Sequence, residues 1–252
     1  MKIFYAILIF ILGGVFGSFY TVLATRLPQK KSIIKPGSHC DKCGKPLTIL
    51  ELIPIFSYIF LGGKCHHCHE RIDPTSTVVE LFLSIFSTAA FIYYGFSYEF
   101  FSLVIILSLI SIIFVSDFRY MVILDSPLIV SVILILILKY YYFGMNEVFY
   151  SVIYGLITFG VMYIFKLIGD KVFGKESLGG GDIKLSFIMG LLLGWQYGLI
   201  AIAIGSFMAF PIALYVTAKK KNEEIPFGPY LLLGLLTTFF FGKYFIKLII
   251  LK

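Results

Sequence analysis

Charge is the scarcest commodity in this 252-residue sequence: Asp, Glu, Lys and Arg together make up 14% of it, against about 25% in soluble domains. Hydrophobic residues reach 59% and the mean hydropathy is +0.95. A soluble globular enzyme of this size has too little interior to hide so much apolar surface, and a disordered chain would be far more polar. Cysteines are few. There are four, all between Cys40 and Cys68, which excludes a disulfide scaffold spread along a secreted chain. Histidine is confined to that stretch and the residues flanking it, at His39, His66, His67 and His69, and Trp195 is the single tryptophan. No glycine-rich nucleotide turn on a strand is present.

What is abundant is long apolar runs. A membrane-spanning helix needs about 20 mostly apolar residues, and Ile3–Thr25 meets that length. It is too long for a signal-peptide core and is read as a retained first span. Further runs fall near 77–95, 99–116, 126–143, 148–168, 185–196, 198–217 and 229–250. The expected fold is an all-α polytopic membrane protein with about eight transmembrane helices. The run 185–196 is the weak one, because about 12 residues cover only ~18 Å. It must extend backwards into the preceding loop, lie tilted in a thinned region, or fail to span. Gly194-Trp195-Gln196-Tyr197-Gly198 is read as the turn after it.

The organisation that follows is a first helix over 1–25, a polar loop domain over 26–76, and a multi-helix core over 77–252. With the N-terminus outside and eight crossings, 16 of the 21 basic residues fall in inside segments. The positive-inside bias therefore places the polar loop, the region of Arg119, the 166–184 loop and Lys219–Lys221 on the cytoplasmic face. The lysine triplet is a solvated inside loop rather than a nucleic-acid patch. Gly13, Gly14 and Gly17 are read as a close helix–helix seam.

Within the polar loop, Cys40-Asp41-Lys42-Cys43 and Cys65-His66-His67-Cys68 are separated by 21 residues, each pair beside a glycine-containing turn. Two such pairs can present four thiolates tetrahedrally to Zn²⁺. A loop of about 50 residues has little core of its own, so a metal would supply folding energy. The rival is a redox thiol pair or two disulfides, which a reducing cytosolic face disfavours. The histidines are read as flanking residues, and a closed four-sulfur site as scaffolding.

Two of the six aspartates stand apart. Asp117 ends the run Phe101–Ser116, and Asp182 closes Gly179-Gly180-Gly181-Asp182 just before the run from Leu185. Both are expected at the cytoplasmic membrane edge, where an ionisable group is costly and marks a functional candidate. Two carboxyls brought together share a proton, and such a pair can activate water while protonating a leaving amine. The glycines would let an extended substrate lie beside Asp182. The bland readings are an N-cap for Asp182 and a surface pair with Arg119 for Asp117. Asp125 competes as a partner for Asp117, yet on one helix eight residues would separate them by ~12 Å and ~80°. Pro127 also makes Asp125 a helix-start residue. Glu80, just inside the second span, is a further accessory candidate. Carboxylates at this depth also serve proton relays. A secondary transporter and a metal-dependent assembly factor therefore stand beside the peptidase.

Five blocks, in order along the chain, carry a resemblance. They are Gly17-Ser18-Phe19 through Arg26-Leu27-Pro28, and Ser38-His39-Cys40-Asp41-Lys42-Cys43-Gly44. Glu51-Leu52-Ile53-Pro54 with Ser57-Tyr58 leads to Gly63-Lys64-Cys65-x-x-Cys68. Val79-Glu80-Leu81 follows, and Asp117 with Gly179-Gly180-Gly181-Asp182 is the last. The sequence resembles the type IV prepilin peptidases, bifunctional leader peptidases and N-methyltransferases of bacterial inner membranes. The resemblance implies that Asp117 and Asp182 are catalytic aspartates of a GxGD-type membrane protease. It implies prepilin or pseudopilin substrates with short basic leaders, serving a pilus, a secretion system or competence, and cleavage after a glycine. Methylation of the new N-terminal residue from S-adenosylmethionine would follow. The zinc-type cysteines Cys40, Cys43, Cys65 and Cys68 would lie in the loop to which methyl transfer is usually ascribed, with Glu51 a further accessory candidate there. Prepilins and membrane lipid are the expected partners, nucleic acid is not, and the oligomeric state is not set by the sequence.

Overall fold

A computed structural model describes residues 1–174, 176–219 and 225–250, with the backbone alone described at Phe173, Thr217 and 243–250. Lys175, Lys220 and Lys221, assigned above to inside loops, lie outside the described residues. The described chain is all helical, without a strand. Two compact units are present, residues 1–116 and 117–252.

The first unit begins with α1 (Lys2–Arg26). A loop carrying a 3-10 turn at Leu50–Leu52 and the short α2 (Phe56–Phe60) then leads to α3 (Thr75–Tyr94). α1 and α3 pack on each other through the glycines picked out above. A Cβ added at Gly13 would fall 2.6 Å from Ser84 Cα, and one at Gly17 would fall 2.7 Å from Glu80 Cα. The four-residue spacing puts both on one helix face, and the missing side chains let the two backbones meet where lipid gives no hydrophobic drive for helix association. α4 (Tyr98–Tyr120) runs through the boundary between units and ends just beyond Asp117.

The second unit holds α5 (Asp125–Phe143), α6 (Met145–Phe173), α7 (Gly180–Leu193), α8 (Trp195–Lys219) and α9 (Gly228–Ile250). α7 is its centre: it contacts α5, α6, α8 and α9, and nine of its fourteen residues are buried. The run expected over 185–196 thus extends back to the triple glycine, as one of the three alternatives required. At ~1.5 Å per residue it is about 21 Å long. The expected turn shortens to Gly194, whose φ of +89° suits a residue without a side chain.

Among the described residues six helices are long and apolar enough to cross a membrane: α1, α3, α4, α5, α6 and α8. α7 is shorter than a full span, and the side chains described for α9 form a shorter apolar stretch, Gly228–Gly242. At the far end of the α5–α6 hairpin, Lys139 is buried. It donates to Ser151 Oγ at 2.7 Å and pairs with Glu147 Oε1 at 3.5 Å. An ammonium taken out of water is tolerated there because it is both paired and hydrogen-bonded.

Candidate active site and metal centre

Asp117 and Asp182 come near one another although 65 positions separate them in the chain. Both are more than nine-tenths buried, and their carboxyl groups are close enough to act on each other electrostatically. Local chemistry explains how each arrives. α4 ends at Tyr120 and the chain turns at Met121, whose φ is +53°. The linker 121–124 then passes the glycine triplet. A Cβ on Gly181 would lie 2.6 Å from Ile123 Cβ, so the absent side chain is what lets the two aspartate-bearing segments approach. Gly179 is the N-cap of α7, and a Cβ there would sit 3.1 Å from Asp182 Oδ2. Gly180 differs: nothing lies within 4 Å of its Cβ position.

The bland readings of both acids are corrected by this placement. Asp182 is not an N-cap but the third residue of α7. Asp117 is buried rather than at the surface, and its Oδ2 accepts the Gly228 backbone N–H at 3.1 Å. Asp182 Oδ1 is buried without a hydrogen-bond partner among the described residues. A desolvated carboxyl oxygen of this kind is suited to receive a donor from a bound substrate or water.

The Gly228 amide is a part of the site that sequence reading missed. The signal was Pro226-Phe227-Gly228-Pro229. Proline near a helix start forgoes an N–H that the helix leaves unused, and here it marks the beginning of α9, whose positive dipole end faces a carboxylate. The loop before the glycines is also fixed. Ser177 donates its N–H and its Oγ–H to Asp170 Oδ1 at 2.6 and 2.8 Å, while Lys166 reaches Glu176 and the Leu178 carbonyl. Replacing Gly181 by valine is expected to push the two segments apart and to lower any activity that needs both aspartates by about 10²-fold or more, since a misplacement of about 1 Å is enough for that. Gly180→Ala is expected to leave the fold unchanged. Comparing kcat and thermal unfolding of the two variants checks the ordering.

Asp125 is not brought to the pair. It opens α5 and forms an ion pair with Lys184 at 2.6 Å, both side chains exposed. Its helix is not that of Asp117, because the turn at Met121 intervenes. Glu80 is buried in the first unit, its Oε2 accepting the Ile55 N–H at 2.8 Å and its Oε1 the Ser76 hydroxyl at 2.9 Å. Glu51 Oε2 accepts the Thr48 N–H and hydroxyl at 2.8 and 2.7 Å.

The four cysteines are free thiols, and their sulfurs all lie within 4.8 Å of one another. Cys40 Sγ and Cys68 Sγ are 3.8 Å apart. A tetrahedron with Zn–S bonds of about 2.3 Å has edges of about 3.8 Å, so the donor set fits that ion. The two knuckles repeat one geometry. Gly44 N bonds Cys40 O and Cys40 N bonds Lys45 O, as His69 N bonds Cys65 O and Cys65 N bonds Glu70 O. The position at φ +69° in the first is Gly44, and in the second, at φ +56°, it is His69. His69 thus holds a turn position that favours glycine. His69→Gly is expected to stabilise the loop by up to about 1 kcal/mol, read as a raised Tm. The Cys43 amide, then that of Lys42, lowers the Cys40 thiol to about 6. The Glu70 amide favours the Cys68 thiolate, but desolvation and the neighbouring sulfurs push that thiol up to about 11. Four crowded sulfurs resist full ionisation unless a cation sits among them. The cluster is therefore able to hold a metal ion.

Residues 11–94 match the bacterial peptidase A24 N-terminal domain, and residues 101–214 match the type IV leader peptidase family. The chain is 33% identical over 253 residues to a prepilin leader peptidase/N-methyltransferase of Bacillus subtilis, covering 93% of this chain and 94% of the relative. A protein of the same description from Vibrio cholerae is 30% identical over 95% and 98% of the two chains. One from Pseudomonas aeruginosa is 26% identical over 88% and 85%. No solved structure matches.

Proposed function

Because this chain belongs to the type IV leader peptidase family, we propose that Asp117 and Asp182 are the catalytic pair by which it cleaves the leaders of prepilins. The chain is a multi-pass membrane peptidase that also N-methylates its product. The observation that supports the site assignment is the burial of two carboxyls near enough to act on each other, one held by the Gly228 amide and the other with an open oxygen.

The chemistry follows from one shared proton. The ionised carboxylate takes a proton from a water as its oxygen attacks the scissile carbonyl. The protonated partner then gives its proton to the leaving amine as the C–N bond breaks, and the pair ends with the proton count it started with. Gly180, open on its outer side, is where an extended substrate strand would pass, and Gly179 keeps side-chain bulk away from Asp182.

In this reading residues 1–25 are the first membrane helix, 26–76 the metal-holding loop and 77–252 the peptidase core with about eight crossings in all. The active site faces the cytoplasm, supported by the 16 of 21 basic residues assigned to that side. The ion is zinc, supported by the four-sulfur set and its 3.8 Å edge. It is structural, because four thiolates leave no open position for a reacting group. S-adenosylmethionine would supply an electrophilic methyl group for the freed amine. No strand exists among the described residues, so they form no glycine-rich strand-to-helix turn to hold that donor.

The deciding experiment incubates purified protein with a prepilin and a labelled methyl donor and reads product masses. Loss of the leader with gain of one methyl group is expected. An intact prepilin would overturn the reading.

A further inference from the structure

The loop between α1 and α3 is polar at both ends but apolar in the middle. Ile49, Leu50, Ile53, Phe56, Ile59 and Phe60 are all exposed, Ile49 and Phe60 at 83%. Side chains of this kind left in water would form a large apolar patch, which needs a partner.

Their depth identifies it. Pro54 Cβ lies 3.1 Å from where a Cβ on Gly14 would be, and Ile55 touches the same point. Gly14 precedes Arg26 by twelve residues, about 18 Å along the axis of α1. Were Gly14 at the membrane surface, only about 20 Å of α1 would remain to cross a hydrocarbon layer of about 30 Å. On α3 the neighbouring contact is Ser84, nine residues inside the start at Thr75. The loop therefore leaves Arg26, descends to mid-helix depth at Pro54-Ile55 and climbs back to Lys64.

Irregular backbone survives at that depth only when its polar groups are satisfied within the protein. From Glu51 to Ser57 each backbone N–H is donated. Glu51 and Leu52 bond Thr48 O, Ile53 bonds Leu50 O, Phe56 bonds Pro54 O and Ser57 bonds Ile53 O. Pro54 has no N–H to place. The Ile55 N–H, in a γ-turn at φ +67° and ψ −55° that a β-branched residue rarely adopts, is received by the buried Glu80 carboxylate. A carboxylate inside the membrane is costly, and tying down this turn gives it a reason to be there. On either side stand the exposed cations Lys42, Lys45, Lys64 and Arg71, beside the cysteine knuckles, where headgroup phosphates would meet them.

We propose that residues 49–60 are a re-entrant segment, tethered by Glu80. Its outer apolar side chains would lie among the acyl chains of the leaflet that carries the two cysteine knuckles. The proposal stands apart from the peptidase assignment, since every residue in it belongs to the first unit.

The test uses the full-length protein with Trp195→Phe, which removes the single native tryptophan. Phe56→Trp or Phe60→Trp is added, and the protein is placed in dilute vesicles of phosphatidylcholine and phosphatidylglycerol. Lipids brominated along the acyl chain are expected to quench either reporter at least about threefold more than aqueous iodide does, with the deeper bromines favouring position 56. Dominant iodide quenching would put the segment in water and overturn the proposal. Reporters shielded from both quenchers would do the same, pointing to an apolar protein partner or a second copy. Phe60 is 83% exposed and stacks on Phe56, so exchanging it for another ring disturbs little packing and keeps the test readable if position 56 fails to fold. Glu80→Leu is expected to raise iodide quenching at position 56 several-fold and Glu80→Gln to leave it low. An unmoved signal in Glu80→Leu overturns the tether.

Discussion

Asp117→Asn and Asp182→Asn are each expected to lower prepilin cleavage at least about 10³-fold, with methylation of an already cleaved peptide retained. The substitution is nearly isosteric. At position 117 it still offers an acceptor to the Gly228 N–H, so α9 stays docked and the loss reports proton chemistry rather than unfolding. At position 182 it replaces a buried carboxyl that has one oxygen with no partner among the described residues. Because the two acids handle one proton between them, the double variant is expected to be no worse than either single one. Kinetics on a prepilin peptide, with matched unfolding curves, measure both points. Full activity in either single variant would refute the dyad. A proton relay of the transporter kind is not favoured by the family to which the chain belongs. It would moreover leave peptide cleavage untouched by these changes.

The second large effect concerns the cysteines. Cys65→Ser is expected to abolish stoichiometric metal binding and to unfold the loop between α1 and α3. Cys65 is the buried member of the set, at 2% exposure, and its knuckle is held by bonds to Glu70 O and from His69 N. Structural zinc in small sites is worth about 10–16 kcal/mol, more than a loop of this size can supply by packing. Removing one ligand forfeits much of it. Elemental analysis should read one zinc per chain in the native protein and well below that in the variant. Product mass spectrometry should show methylation falling more than cleavage, because the aspartates belong to the second unit and all four cysteines to the first. Equal loss of both activities would mean that the loop serves the peptidase as well.

Much of the fold was legible in the chain because lipid imposes a simple rule. Backbone polar groups in hydrocarbon must be satisfied within a helix, so apolar runs of sufficient length announce themselves. That rule carried α1, α3, α4, α5, α6 and α8, while the short run near 185 left three alternatives open until α7 was seen to begin at Gly180. The cysteine cluster was equally readable, since ligand spacing within a knuckle is local geometry. The acids were singled out by position, as charges at span ends, by the glycine triplet before Asp182 and by the family resemblance.

Only the tertiary structure decided the rest. That Asp117 comes near Asp182, while Asp125 pairs with Lys184, depends on a turn at Met121 and on the room Gly181 leaves beside Ile123. The Gly228 amide carries no side chain to advertise it, so its bond to Asp117 was invisible before α9 was placed. The sequence marks Glu80 as an accessory acid, but its bond from the backbone of Ile55 at 2.8 Å could be seen only once the loop was placed. Composition and periodicity are properties of neighbours along the chain, and they determined which segments are helices and which residues are expensive to bury. Contacts between residues tens of positions apart are set by packing, in which a missing Cβ or a single backbone donor outweighs anything the local pattern records.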